Sequence, residues 1–405
     1  MGTKYKDSGI PWMPSIPDTW EVQRGKNILV LNKRPVRESD EVVTCFRDGE
    51  VILRSERRTD GFTMSDKEIG YQGINKGDIV IHGMDGFAGS MGVSKSTGKG
   101  SPVLVVCSPK YDAVPQFIIY YLRTLAMTNV FVALSTGIRE RSCDLRWNKI
   151  AELQFVLPSA IEQQRIADFL DRKCAEIEEL AALQETMIAE LKRYEQSVIT
   201  EAVTKGLDPD VPMKDSGVEW IGEIPEGWDK IRLKFLCTIQ TGNQDTQDAI
   251  ADGAYPFYVR SPIVEHSNKF SFEGEGILMA GDGAGAGRVF HHVYGKYAVH
   301  QRVYRFANFV NINSNYLFYF LSSLFCKEMD RGSAQSTVPS VRLPMLQNFR
   351  ICIPPLTEQR AIADYLDRKC AEIDELIAIK QQKIESLKEY KKSVIFEYVT
   401  GKKEI

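Results

Sequence analysis

The most regular alternation of apolar and polar positions along this chain occurs in two stretches that are copies of each other. LDRKCAEI runs from Leu170 to Ile177 and again from Leu366 to Ile373, and the similarity continues through Glu201 and Glu397. In the first copy Ile177, Leu191 and Val198 stand at heptad positions, interleaved with Leu180, Met187 and Tyr194; in the second, Ile373, Leu387 and Val394 repeat the pattern with Leu376 and Tyr390. Both stretches lack Gly and Pro, so each predicts one long helix with an apolar seam. Ser159 and Glu162 can form a capping box at the first start, and Pro354, Pro355 and Thr357 mark the second. Forty-odd residues at about 1.5 Å each give a rod on the order of 60 Å. A rod with one apolar face needs a partner, and the nearest is the other copy. Gln184 and Lys380 interrupt the seam at equivalent places, so the pairing is tuned and not maximally stable.

The rest of the chain alternates with these helices as globular part, helix, globular part, helix. The expected boundaries are 1–157, 158–204, 205–353 (with 205–213 as linker) and 354–405. KDSGIPWMPSIPDTW (Lys6 to Trp20) and KDSGVEWIGEIPEGW (Lys214 to Trp228) open the two globular parts, and their Pro, Gly and Trp content predicts an irregular docked segment. Short apolar runs, Gly77 to Ile81 and Glu275 to Met279, lead into the glycine-rich loops HGMDGFAGSMG and AGDGAGAGR. Strand-like Ser101 to Cys107 and Tyr297 to Phe306 follow. Amphipathic helices are expected at Val114 to Leu125 and Asn315 to Cys326, then closing strands at Leu153 to Pro158 and Phe349 to Pro354. Each globular part is therefore α+β, with strands outnumbering helices. The opening motifs lie 208 positions apart (Lys6 to Lys214) and the helices 196 (Leu170 to Leu366), so the frame is duplicated while the middles have diverged.

With 405 residues and 43% hydrophobic content, two to three domains with real cores are expected. No apolar run reaches the length of a membrane span, and no targeting segment is recognisable at the N-terminus. The eight cysteines are scattered without a CxxC pair, which fits reduced packing residues in a cytoplasmic protein. A formal net charge of -3 argues against a uniformly basic coat. Locally, Gly283 to Lys327 and Arg331 to Thr357 contain no acidic residue up to Thr357, and carry Arg288, Lys296, Arg302, Arg305, Arg342 and Arg350 with three histidines. These read as basic surfaces.

The duplicated openings KDSG…W…IP..W, the boundary stretches LP…EQ.RIADFLDRK and IPPLTEQRAIADYLDRK, and the linker TKGLDP make the chain similar, over essentially its whole length, to the specificity subunit of type I restriction-modification systems. That resemblance implies two target recognition domains, each reading one half of a bipartite sequence in double-stranded DNA. It implies that the helices pair as an antiparallel coiled coil with pseudo-twofold symmetry, setting the unread spacer. It implies no catalysis in this chain: two adenine-methyltransferase subunits and two ATP-driven endonuclease subunits are its expected partners, and S-adenosylmethionine, ATP and magnesium are expected on them.

Competing motifs fail on context. FEGEG (Phe272 to Gly276) matches a methyltransferase pattern but precedes a strand, and no NPPY-like or DPPY-like tetrapeptide exists. Gly281, Gly283 and Ala286 satisfy G-x-G-x-x-A, but a β-patterned stretch follows and no acid stands about twenty residues on. The glycine loops are either tight turns or places where backbone approaches DNA, with Asp85, Ser90 and Lys95 in the first part and Asp282 and Arg288 in the second as polar neighbours. Gln301 and Arg302 suit adenine and guanine in the major groove; the alternative is a cross-strand pair on a solvated sheet. The runs Ser135 to Arg146 and Arg331 to Arg342 add Arg139, Arg141, Arg146, Arg331, Gln335 and Arg342 as candidate DNA contacts, with no metal or catalytic residue expected. A scaffold whose coil merely assembles protein partners is the other class of reading.

Overall fold

The computed structural model describes residues 4–57, 69–134, 145–332 and 339–405, the side chain of Arg331 excepted. Its two compact units are not consecutive segments. The first comprises residues 1–184 and 382–405, the second 185–381, so each holds one globular domain, the first part of the helix that follows it and the last part of the other helix.

In the first unit a four-stranded antiparallel sheet runs in the order Leu29–Leu31, Leu104–Pro109, Ile79–His82, Met91–Val93. The helix Pro115–Met127 packs on it through Phe117, Tyr121 and Leu125, all buried. The second unit repeats this order with Thr238–Thr241, Val303–Ala307, Gly276–Ala280 and Phe290–Val293, covered by the helix Ser314–Gly332. In both, the closing strand (Gln154–Leu157, Arg350–Ile353) pairs antiparallel with a strand just after the opening motif (Glu21–Arg24, Asp229–Arg232). The openings themselves are more regular than their composition predicts: Tyr5–Asp7 pairs with Ser15–Pro17, and Met213–Asp215 with Glu223–Pro225. The turns between are held by Ser8 and Ser216, whose hydroxyls accept from the backbone N–H two residues on. The α+β expectation is met in each unit.

The boundary motif EQ……D explains how a domain is fixed to its helix. Gln163 is buried, and its amide donates to the Pro158 carbonyl (3.0 Å) and accepts from the Val114 N–H (2.9 Å). Gln359 does the same with Pro354 (2.9 Å) and Asn313 (2.7 Å). One residue earlier, Glu162 and Glu358 accept from the indole N–H of buried Trp20 (3.2 Å) and Trp228 (3.1 Å). Two turns on, Asp171 accepts from Tyr120 and Gln116, and Asp367 from Tyr319 and Asn315. The capping box is thus only half formed: the Glu162 N–H donates to Ser159 Oγ at 3.3 Å, but the Glu162 carboxylate is spent on Trp20.

The helices Ala160–Lys205 and Leu356–Val399 run antiparallel within each unit. In the first, Phe169 meets Tyr398 (ring centroids 4.5 Å apart), and Lys391 pairs with Glu178. In the second, Met187 Sδ lies 3.4 Å from Lys380 Nζ. The seam itself differs in phase from the sequence reading. Ile177, Leu191, Ile373 and Leu387 lie in it, but Leu180, Met187, Tyr194, Leu376 and Tyr390 are each about half exposed. The protected positions alternate by four and three: Leu170, Cys174, Ile177, Ala181, Gln184, Ile188, Leu191, and in the other helix Leu366, Cys370, Ile373, Ile377, Lys380, Ile384, Leu387. Size misled the reading, because Leu180 is more apolar than Ala181 although only the latter faces the partner.

The repeat-equivalent seam positions 195 and 391 carry opposite charges. Lys391 pairs with Glu178 beside Cys174, whereas Glu195 sits beside Cys370 and Asp374. Burial, and then the Asp374 carboxylate, push the Glu195 pKa up. The folded unit therefore holds this proton more readily than the unfolded chain, so its contribution is greatest below the ordinary carboxylate range and falls as pH rises through the folded value. Glu195→Gln should stabilise the second unit at neutral pH and change nothing in acid; urea denaturation at several pH values checks this, and equal midpoints at pH 7 would count against it. Gln359→Leu should leave the Asn313 N–H and Pro354 carbonyl buried and unpaired, at about 1–3 kcal/mol each. Hydrogen exchange should then show lost protection near residue 313 but not near residue 114.

Candidate nucleic-acid interface

At one end of each sheet three segments are tied together by their backbones. Gly281, the first residue after the strand Gly276–Ala280, donates to the Arg302 carbonyl (2.8 Å) and accepts from the Val341 N–H (2.8 Å). Gly83, after Ile79–His82, donates to Val103 (2.9 Å) and accepts from Leu145 (2.9 Å). The glycine loop, the turn before the last sheet strand and the segment before a short helix (Trp147–Glu152, Leu343–Asn348) thus meet at one knot in both domains. Sequence placed all three among the candidates in the second domain, but only the glycine loop and the segment before the short helix in the first, and it did not anticipate that helix.

The glycines serve the knot itself. A Cβ at Gly83 would lie 2.9 Å from the Val103 oxygen, and one at Gly281 2.8 Å from that of Arg302. Close approach of the chain to its own backbone is what excludes a side chain there. Farther along the loops, Cβ atoms at Gly89 and Gly285 would meet the carbonyls of Arg47 (2.9 Å) and Arg260 (2.5 Å). A fourth segment therefore joins each knot: the turn after Val43–Cys45 in the first domain and the loop after Tyr255–Tyr258 in the second.

The side chains on this frame are polar and mostly paired. Arg302 and Gln301 are exposed at the turn; Arg302 lies 3.3 Å from the Asp282 carboxylate and Gln301 donates to Asp245 (2.9 Å). Asp282 also accepts from Arg260 (3.1 Å). In the first domain Arg47 pairs with Asp85 (3.3 Å), whose N–H donates to His82 Nδ1 (3.0 Å). Burial lowers the His82 pKa and keeps the ring neutral and able to accept that bond. Arg47, Arg54, Arg57, His82 and Asp85 line a cleft of about 650 Å³.

Several candidates stand differently from the sequence reading. Ser90 is buried, so its hydroxyl does not face outward. Lys95 is exposed but pairs with Glu50 (2.9 Å), and Arg288 pairs with Asp330 (2.7 Å), so a stretch acid-free in sequence is not acid-free in space. Arg305 and His300 are core residues: Arg305 donates to Tyr297 (2.8 Å) and lies over the Phe272 ring. Arg146 and Arg342 are exposed, at the same place before the two short helices. Arg139, Arg141, Gln335 and the Arg331 side chain lie outside the described residues. The sequence reading missed Arg47 and Arg260, whose equivalence rests on a contact with a glycine forty-two or twenty-five positions on, a signal that no local pattern carries.

Residues 225–389 match the type I restriction modification DNA specificity domain. Along 98% of the chain and 96% of the relative, the sequence is 26% identical to the type I restriction enzyme MjaVIII specificity subunit of Methanocaldococcus jannaschii. Both matches support a specificity subunit of a type I restriction-modification system. A second such subunit, EcoDI of Escherichia coli, is 28% identical over 43% of this chain and 38% of its own length. The fold of the chain is that of two solved chains, each 16% identical. One comes from work on complex assembly and conformational transition of the type I R-M system, with a TM-score of 0.73 over 95% of this chain and 98% of that one. The other is the HsdS subunit of Thermoanaerobacter tengcongensis, with a TM-score of 0.53 over the same shares. Among the described residues no cluster of metal-ligating side chains is found, and no helix is long and apolar enough to cross a membrane.

The knot has a direct test. Gly281→Ala places a methyl against the Arg302 oxygen and the Tyr304 ring, at 2.8 and 2.9 Å. Amide exchange at Gly281 and Val341 should accelerate while Gly83 and Leu145 stay protected; unchanged protection at 281 and 341 would mean that the knot accommodates a side chain.

Proposed function

We propose that this specificity subunit is the non-catalytic DNA-reading component of its complex, each recognition domain contacting one half of an asymmetric, interrupted site in double-stranded DNA. The observation that carries this reading is the knot of loops, kept in both domains while the side chains mounted on it differ. Val103 in one domain stands where Arg302 stands in the other, each offering its carbonyl to the corresponding loop glycine, Gly83 or Gly281. One frame with two unlike polar surfaces suits two unlike half-sites, because phosphate contacts position a protein whereas base-edge contacts specify.

The long helices then act as spacer and as docking platform. Leu180, Leu183 and Tyr390 in the first unit, and Met187, Tyr194, Leu376 and Ile379 in the second, are about half exposed beside the seam. They give each unit apolar surface for one methyltransferase subunit. S-adenosylmethionine belongs to those subunits, and ATP and magnesium to two endonuclease subunits that complete the assembly in the cytoplasm; this chain itself takes no cofactor.

The three-four alternation of the seam makes seven residues the natural insertion. Adding one heptad after Leu183 and another after Ile379 lengthens both helices by about 10 Å while the seam turns by only about 20°. At about 3.4 Å per base pair, the unread spacer should grow by about three pairs with both half-sites unchanged. Exchanging residues 1–157 for another recognition domain should change one half-site and leave the spacer as it was. Sequencing methylated sites in cells carrying each variant reads both outcomes. An active insertion variant that still modifies the original spacing would remove the helices from the role of ruler.

A further inference from the structure

We infer that carboxylate-held arginines on the glycine-loop frame, Arg260 with Arg302 in the second domain and Arg47 in the first, read guanine in the two half-sites. This rests on the reading of the domains as DNA-binding and goes beyond it by naming the residues and the base.

The geometry of the second domain comes first. Asp282 is the residue after the knot glycine, and its carboxylate side chain is only 16% exposed. One oxygen accepts from Arg260 at 3.1 Å and the other lies 3.3 Å from Arg302. The two arginine side chains remain 46% and 64% exposed. Each bond to Asp282 involves one nitrogen, which leaves most of each fork's five N–H donors for a ligand. The trio carries a net charge of +1, and a carboxylate fixed by the loop restricts two long side chains that would otherwise be mobile. Holding a recognition group by a supporting shell is what makes it selective for one edge geometry. Guanine offers N7 and O6 in the major groove, the pair of acceptors that a guanidinium fork matches bidentately.

The first domain supplies an independent instance. Its loops have diverged, yet the carbonyl of Arg47 lies against Gly89 as that of Arg260 lies against Gly285. Arg47 again pairs with an aspartate of the glycine loop, Asp85, and is 70% exposed. An arrangement kept through loop divergence, on exposed groups that add nothing to a core, indicates use. Surface pairs of this kind contribute little to stability. With Val103 in the place of Arg302, the first domain has one such arginine among the described residues and the second has two.

The experiment uses the chain assembled with its methyltransferase subunits and a duplex library randomised across the site, with methylated positions sequenced. Arg260→Ala and Arg302→Ala should each relax a guanine requirement at one position of the same half-site, lowering the preference by about tenfold or more, with the other half-site as internal control. Asp282→Asn, which keeps both arginines but weakens what holds them, should blunt both positions partially. Arg47→Ala should relax guanine in the opposite half-site alone. Arg260→Gln retains a long polar side chain and guards against a truncation that merely unsettles the loop. An unchanged half-site in the arginine variants would overturn the assignment, and so would a uniform loss across all duplexes with a shallower salt dependence, which marks phosphate contacts. Exchange of the whole second domain separates the two levels: if that exchange alters the half-site while the arginine variants do not, only the guanine assignment falls, and if the exchange alters nothing, the DNA-reading function falls with it.

Discussion

The attachment of each domain to the start of its helix rests on one buried amide. Gln163 and Gln359 each join a proline carbonyl before the helix to a backbone N–H at the start of the domain's covering helix. An unpaired buried donor or acceptor costs about 1–3 kcal/mol, so two such groups satisfied by one side chain leave little tolerance for another residue or another angle. The indole–carboxylate bond of Trp20 or Trp228 and the tyrosine–aspartate bond two turns on then hold the helix at two further points. Three points define an orientation. Loops at the far end of the sheet can therefore diverge without changing how the domain meets its helix, and the two domains of this chain have done so.

The helix seam follows a different logic. Its protected positions include Gln184, Glu195, Lys380 and Lys391 between the apolar residues, which lowers its stability relative to an unbroken aliphatic seam. Lys391 faces Glu178, while its repeat equivalent Glu195 faces Asp374, the repeat equivalent of Glu178. The two pairings are thus related by duplication but not in charge. A like-charge layer in one unit and an opposite-charge layer in the other make the alignments inequivalent, and polar residues at seam positions commonly fix register by that means.

The frame was readable from sequence because duplication marks it: Trp20, Glu162, Gln163 and Asp171, with Trp228, Glu358, Gln359 and Asp367, lie in repeated motifs, and the central sheet strands, covering helices and long helices fell close to their expected places. What sequence misjudged were matters of direction and neighbourhood. Leu180 and Ala181 are adjacent, and hydrophobicity favours the former while the helical phase favours the latter. The opening motifs carry turn residues, yet those turns close two-stranded ribbons. Arg288 and Lys95 looked unopposed because Asp330 and Glu50 lie forty-two and forty-five positions away. Arg47 and Arg260 carry no mark in sequence at all, since what singles them out is a carbonyl against a loop glycine in three dimensions.

If the domains read DNA as proposed, those pairings bear on how a chain of net charge -3 is selective on a polyanion. An unpaired surface arginine is drawn to any phosphate, which adds affinity everywhere and specificity nowhere. A carboxylate beside it reduces that general attraction and repels the phosphate oxygens nearest to it. The guanidinium keeps its directional N–H donors, so what it loses in long-range charge it does not lose in short-range geometry. In the proposed reading, Asp85 and Asp282 shift their arginines from charge-driven binding toward edge recognition, where a neutral base with two well-placed acceptors competes against a charged backbone that the aspartate disfavours. On that proposal, affinity for the duplex as a whole has to come from elsewhere in the assembly.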